Sequence, residues 1–142
     1  MARLDRTMMD AATFPSVEII PTRYADLDEQ RHVNNAAVVV LLQEGRVRFN
    51  QNMGLRGGLG GLRLMVVALG VEYAAELHHP EPVELHSGIA RIGRTSFTIA
   101  QRIRQHGRTG VYAESVMVLA DANGPAEISD HLRGAFERLT LR

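Results

Sequence analysis

Asn34-Asn35-Ala36-Ala37-Val38-Val39-Val40-Leu41-Leu42-Gln43-Glu44-Gly45-Arg46-Val47-Arg48-Phe49-Asn50 is the stretch on which the fold turns. Ala36 to Leu42 is an unbroken apolar run, and Val38-Val39-Val40 taken alone has the propensity of a strand. Three features make it a helix instead. Asn34 and Asn35 are good N-cap residues, polar residues recur at Gln43, Arg46 and Asn50 as the pattern runs on to Met53, and Glu44 precedes Arg48 by four positions. A helix so apolar at its start must be largely buried. Gly54, Gly57, Gly58, Gly60 and Gly61 end it in a loop read as a lid or connector; without a lysine or a preceding strand, this loop does not fit a phosphate cradle.

Outward from the helix the pattern changes to strands. Upstream, Val17 to Tyr24 is β-branched and aromatic, with Pro21 inside it, which predicts an edge strand or a bulge. Downstream, strands are expected over Leu64 to Tyr73, Val83 to Ile92, Ser96 to Arg104 and Val111 to Leu119, separated by His79-Pro80-Glu81-Pro82, Gly93-Arg94 and His106 to Gly110. The last three should form an antiparallel meander. Phe97, Ile99 and Ile103 alternate with Ser96, Thr98, Arg102 and Arg104, as for a strand with one buried and one wet face. An amphipathic helix over about 129–139 closes the chain. The expected fold is α+β: one domain over residues 1–142, with a core of about 15–128 and an antiparallel sheet curled round one long buried helix.

Composition narrows the chemistry. The 142 residues are 45% hydrophobic and 23% charged, with sixteen acids balancing sixteen bases, so net charge points to no polyanionic partner. There is no Cys, and every base is Arg. Thiolate nucleophiles, disulfides, cysteine-bound zinc, Schiff bases and lysine-bearing phosphate loops are all excluded. No apolar run is long enough to span a bilayer, and Arg3, Asp5, Arg6 and Asp10 interrupt any signal-like core, so a cytoplasmic protein without membrane contact is expected.

The densest polar cluster is Asp26, Asp28, Gln30, His32, Asn34 and Asn35, where the first loop meets the start of the apolar helix. Such a junction offers unpaired backbone N–H groups and the positive end of the helix dipole, which suit a developing oxyanion. A nearby carboxylate can attack a carbonyl or activate water. The alternative is that the same residues only cap the helix and close the loop. Asp26 is read as structural, holding the loop through backbone hydrogen bonds.

Here the sequence resembles a known family. Arg23-Tyr24-Ala25-Asp26-Leu27-Asp28-Glu29-Gln30-Arg31-His32-Val33-Asn34-Asn35 is similar to the entry motif of the hotdog-fold acyl-CoA thioesterases. Gln43-Glu44-Gly45-Arg46 resembles the Glu-Glu-Ala-Arg stretch of that family, and His79-Pro80, Ile92-Gly93 before Thr95-Ser96-Phe97, and Asp121 to Gly124 resemble its later strands and turns. The resemblance implies a single hotdog domain, a five-stranded antiparallel sheet around the helix, and a homo-oligomer, dimer or dimer of dimers, with active sites at subunit interfaces. It implies hydrolysis of an acyl-CoA or acyl carrier protein thioester without cofactor. By the same likeness, Asp28 is the catalytic carboxylate, as general base or nucleophile, and the Asn35 N–H polarises the thioester carbonyl. A plant acyl-ACP-like triad falls on Asp28, Gln30 and His32. Gln30 departs from the usual Asn, and Val38 stands where many relatives carry a tyrosine.

Substrate contacts are expected from Gln30 and Asn34, and from Val39 and Leu42 around the acyl group. No acid occurs between Leu85 and Ala113, a stretch holding Arg91, Arg94, Arg102, Arg104 and Arg108. Arg91, Arg94 and Arg102 are therefore candidates for the phosphates of coenzyme A, against the alternative of solvated residues paired with Glu72, Glu76, Glu81 or Glu84. With only Phe97 and Tyr112 near this patch, nucleic acid is not expected. His78-His79 and His86 do not have metal-ligand spacing, so no metal is expected, and no Gly-x-Ser-x-Gly turn supports a serine hydrolase. Two other readings stand beside the thioesterase: a hotdog dehydratase or hydratase, whose His-Phe-Pro-Gly segment is missing, and a non-catalytic module that binds acyl-CoA.

Overall fold

A computed structural model describes residues 3–53 and 61–142. Its elements are α1 (Arg6–Ala11), β1 (Ser16–Ile20), α2 (Asn35–Asn52), β2 (Arg63–Tyr73), β3 (Val83–Ile92), β4 (Ser96–Gln105), β5 (Arg108–Asp121), the two-residue β6 (Gly124–Pro125) and α3 (Asp130–Glu137). The main sheet runs β1-β3-β4-β5-β2, antiparallel throughout, with β6 folded back on the end of β5. Register shifts at Val66/Ala68, Ile89/Arg91 and Ile103/Arg104 help curl it. This is the expected hotdog architecture.

The sequence Val38-Val39-Val40 is helical. Asn34 is its N-cap, its side-chain oxygen accepting the Ala37 N–H at 2.7 Å. Val38, Leu41, Leu42, Gly45, Arg46 and Phe49 form the buried stripe at helical spacing. The other side is open, with Val40 53% and Val47 48% exposed, so burial is confined to the face against the sheet. At Gly45 α2 packs tightly on β3: a Cβ there would collide with the Leu85 side chain. Leu42, Leu85, Ile103 and Val83 fill one half of the core; Phe49, Ile99, Phe97 and Phe136 fill the other.

Two expectations change. β1 stops at Ile20, an edge strand as Pro21 indicated, because proline has no N–H to extend the ladder. The outer face of β4 is not wet: Thr98, Ala100 and Arg102 are all buried. It lies beneath Met9 and Phe14, from α1 and the segment after it, with Leu141 of the C-terminal tail beside them. α1 itself escaped the sequence reading because it has barely two turns; Asp5 caps it, accepting the Met8 N–H at 2.9 Å. Of the glycine-rich loop from Gly54 to Gly61, read as a lid or connector, residues 54–60 lie outside the described residues. Among the described residues no helix is long and apolar enough to cross a membrane.

Candidate active site

The segment between Pro21 and α2 folds back on itself. Asp26 is buried, and its carboxylate accepts the Arg23 N–H at 2.9 Å and an Arg23 guanidinium N–H at 2.8 Å. That guanidinium holds the Asp26 carboxyl below the usual carboxylate range, against the opposing effect of burial. The Asp26 carbonyl accepts the Asn34 N–H at 2.8 Å, and the Val33 N–H donates to the Leu77 carbonyl at 2.9 Å. The loop is thereby closed and tied to the β2–β3 connection. Asp26 has the structural role expected for it.

Inside this frame the Asp28 N–H donates to the His32 carbonyl at 2.9 Å, with Arg31 in the left-handed region at φ 65°. One Asp28 carboxylate oxygen accepts the backbone N–H groups of Gln30 at 2.9 Å and His32 at 3.2 Å. The other has no donor among the described residues. Backbone donors hold this carboxylate, not the His32 ring. The imidazole turns away: its Nε2 lies 3.2 Å from a Glu76 carboxylate oxygen, and its ring meets His78 edge-on at 5.3 Å.

Asp28, His32, Asn35, Val38, Tyr73 and Glu76 line one cavity of about 360 Å³, floored by Leu77 and Val111. The Asn35 and Ala36 N–H groups, first in the helix, have no acceptor among the described residues, because the Asn34 cap serves Ala37. Asp28, with one carboxylate oxygen lacking a donor, and Asn35, with an N–H lacking an acceptor among the described residues, thus line the same cavity.

The structure thus gathers Asp28, His32 and Asn35. It does not bring the other nominated residues to this cavity. Gln30 contributes its backbone N–H to Asp28 and is exposed. Asn34 is committed to the cap. Leu42 is sealed in the core, and Val39, half-buried, does not line the cavity; Val38 does. Arg91 pairs with Glu114 at 2.8 Å and Arg94 with Glu127 at 2.7 Å. Arg102 is buried on the outer face, donating to the carbonyls of Met9 at 2.8 Å and Asp10 at 3.3 Å, which end α1, and to His86 Nδ1 at 3.1 Å. These partners are not the glutamates weighed from the sequence.

Sequence reasoning missed Tyr73 and Glu76. Tyr73 donates its hydroxyl to the Asn35 carbonyl at 3.1 Å, and desolvation holds its phenol above the ordinary value, so it remains a donor at neutral pH. A phenol thus reaches the first turn of α2 from the end of β2, although Val38 replaces the helix tyrosine of relatives. The available signal was a Tyr and a Glu at a strand end before a proline-rich turn, which does not reveal a partner some forty residues upstream. Among the described residues no three His, Asp or Glu gather closely enough to hold a metal ion.

Solved structures share this fold. The chain is similar to a predicted thioesterase from Bacillus stearothermophilus, at 26% identity over 87% of this chain and 95% of that one, with a TM-score of 0.80. It is also similar to a thioesterase from Thermus thermophilus complexed with coenzyme A and zinc (24% identity, 89% and 95% covered, TM-score 0.79) and to a gentisyl-coenzyme A thioesterase (18%, 85% and 99%, TM-score 0.76). No curated protein matches the sequence. The thioesterase-like superfamily matches residues 22–136, a span holding the Asp28 loop, α2, β2 to β5 and nearly all of α3. The chain belongs to the thioesterase-like superfamily.

Proposed function

We propose that this protein hydrolyses an acyl thioester of coenzyme A or of an acyl carrier protein, with Asp28 as the catalytic carboxylate. The observation that carries this reading is that Asp28, with one carboxylate oxygen lacking a donor, and Asn35, with an N–H lacking an acceptor among the described residues, line one cavity. The thioester carbonyl accepts from Asn35 N–H, with the helix dipole behind it, as negative charge develops on oxygen. Asp28 either removes a proton from an attacking water, or attacks the carbonyl carbon itself to form a mixed anhydride that a water then hydrolyses to free acid and free carboxylate; on both routes the thiolate leaves with a proton. His32, held by Glu76, stands beside the departing sulfur as the proton source, and no cofactor is required. Val38 and Val111 receive the acyl group.

Family membership and neighbours that include thioesterases support the reaction class. The protein works as a homo-oligomer. β2 is a sheet edge exposing Met65, Val66 and Val67, and its end supplies Tyr73 to the cavity, so a second copy along this edge would cover the exposed Asp28.

One observation favours a second reading. The Asp28 oxygen that accepts two backbone N–H groups is what a loop-closing aspartate also does, as in a non-catalytic module that binds acyl-CoA. Thiol release from aliphatic and aromatic acyl-CoAs separates the two. Asp28→Asn retains an oxygen for the loop and should lower turnover by roughly 10²- to 10⁴-fold. Equal turnover in both proteins would remove Asp28 from the chemistry, and stoichiometric binding without turnover by the wild type would establish the binding module.

A further inference from the structure

Beside the Asp28 cavity lies a second one of about 160 Å³, and Ala75, Glu76 and Leu77 line both. Its far side is the β4–β5 hairpin with His106 and Arg108; His78 and Gln105 complete it. The hairpin is braced on several sides. Buried Gln105 donates to the carbonyls of His78 at 2.9 Å and Glu81 at 3.0 Å and accepts the His78 N–H at 2.8 Å. Arg104 donates to the Gly107 carbonyl, and the Ala74 and Ala75 N–H groups both donate to the Gly110 carbonyl. Gly110 has to be glycine for this contact, since a Cβ would press on Leu77 and the Ala75 carbonyl.

The arginines of the acid-free stretch separate into two kinds. Arg91 and Arg94 are in ion pairs, Arg102 is buried under α1, and Arg104 is half-buried with its guanidinium on the Gly107 carbonyl. Arg108 is exposed, lines the second cavity and has no carboxylate partner among the described residues. Glu76, the acid on the shared wall, is paired with His32. A cation on a rigid turn with two imidazoles around it suits a phosphate, which takes paired hydrogen bonds from a guanidinium.

We propose that this second cavity binds a phosphate of the thiol carrier, with Arg108 as the principal contact and His78 and His106 as further donors. The proposal rests on the thioesterase reading, because a thioester held at Asn35 N–H sends its acyl group and its carrier arm in opposite directions. Val38 and Val111 suit the first, and the cationic cavity across Glu76 suits the second.

The test compares wild type, Arg108→Gln and Arg94→Gln on acyl-CoA, acyl-4′-phosphopantetheine and acyl-pantetheine, which carries no phosphate. Arg108→Gln should raise KM for acyl-CoA roughly tenfold, the effect of one charge-assisted contact, while kcat and KM for acyl-pantetheine stay unchanged. A penalty shared by acyl-4′-phosphopantetheine assigns the 4′-phosphate, and a penalty confined to acyl-CoA assigns the nucleotide phosphates. Equal effects on all three substrates, no effect at all, or a rise in Arg94→Gln alone would overturn the proposal. Calorimetry with adenosine 3′,5′-bisphosphate and 4′-phosphopantetheine reads the site if no thioester is turned over. Binding of either that Arg108→Gln weakens keeps the proposal although the catalytic reading fails, and binding of neither, or binding indifferent to Arg108, ends it.

Discussion

Two polar regions of this molecule both place an aspartate and a histidine at a helix terminus and differ in what surrounds them. Under α1, on the outer face of the sheet, Asp10, His86, Arg102 and Tyr112 are joined to one another: Arg102 donates to the Met9 and Asp10 carbonyls of α1 and to His86 Nδ1, Tyr112 donates to Asp10 at 2.7 Å, and His86 Nε2 is buried without a partner among the described residues. At the start of α2, Asp28, His32, Asn35 and Glu76 line a cavity with one carboxylate oxygen and one helix N–H left over. Aspartate, histidine and a helix terminus are present in both. Unsatisfied hydrogen-bonding capacity beside open space is what distinguishes a candidate active site from a structural network.

That contrast predicts that substitutions outside should change stability and leave chemistry alone, while substitutions at the cavity should do the reverse. Arg102→Leu is expected to have the largest effect on folding, about 2–4 kcal/mol, because it strands the α1 carbonyls and the His86 acceptor in a buried layer. Denaturant unfolding measures the loss, and kcat on a good thioester should stay within about twofold. A large fall in kcat at full folding would mean the two regions are coupled.

Asp26→Asn should come next, at about 1–2 kcal/mol, since it replaces a charge-assisted bond to Arg23 by a neutral one. Its pH dependence has a definite sign. The Asp26 carboxyl is held below its ordinary value by the Arg23 hydrogen bond, so its contribution is fully present above the unfolded carboxyl pKa, about 3.9, and is lost as pH falls through the lower folded value. Unfolding midpoints from about pH 6 down to pH 2 should therefore converge for wild type and Asp26→Asn. Curves that stay parallel to pH 2 would remove that linkage.

Glu76→Gln sharpens the other half of the comparison. Glu76 is largely exposed, so stability should change by less than about 0.5 kcal/mol. Turnover should fall roughly three- to tenfold, because the Glu76 carboxylate no longer holds the His32 ring in place. Unchanged turnover would reduce the Glu76–His32 contact to a surface contact.

Much of the fold was legible because it rests on periodicities that local sequence displays. Asn34 as cap, the four-residue spacing of Glu44 and Arg48 and the recurring polar positions outweighed the strand propensity of Val38-Val39-Val40, and the helix runs from Asn35 to Asn52. Turn residues between β3, β4 and β5 foretold a meander whose registers are Ile89↔Ile99 and Ile99↔Ser115. The wet outer face failed at Arg102, since alternation within β4 records which side is polar and says nothing of what covers it. At the site, Asp28, His32 and Asn35 were found together because they lie within eight residues on one loop. Tyr73, Glu76 and Arg108 were out of reach, as they meet that loop only through the pairing of β2 with β5 and the tie from Val33 to Leu77.

By itself, then, the sequence determined what is local: the helix and its cap, the meander of the last three strands, a loop placing a carboxylate beside a helix N-terminus, and the exclusion of cysteine and lysine chemistry. Tertiary structure alone decided which polar groups stay free. Hydrogen bonds saturate, and the partner that satisfies Asp26, Asn34, Arg91 or Arg102 is chosen by which neighbours the fold brings within about 3 Å. Two aspartates two residues apart therefore differ in surroundings, with Asp26 enclosed by Arg23 and Asp28, exposed, lining the cavity with one oxygen that has no donor among the described residues.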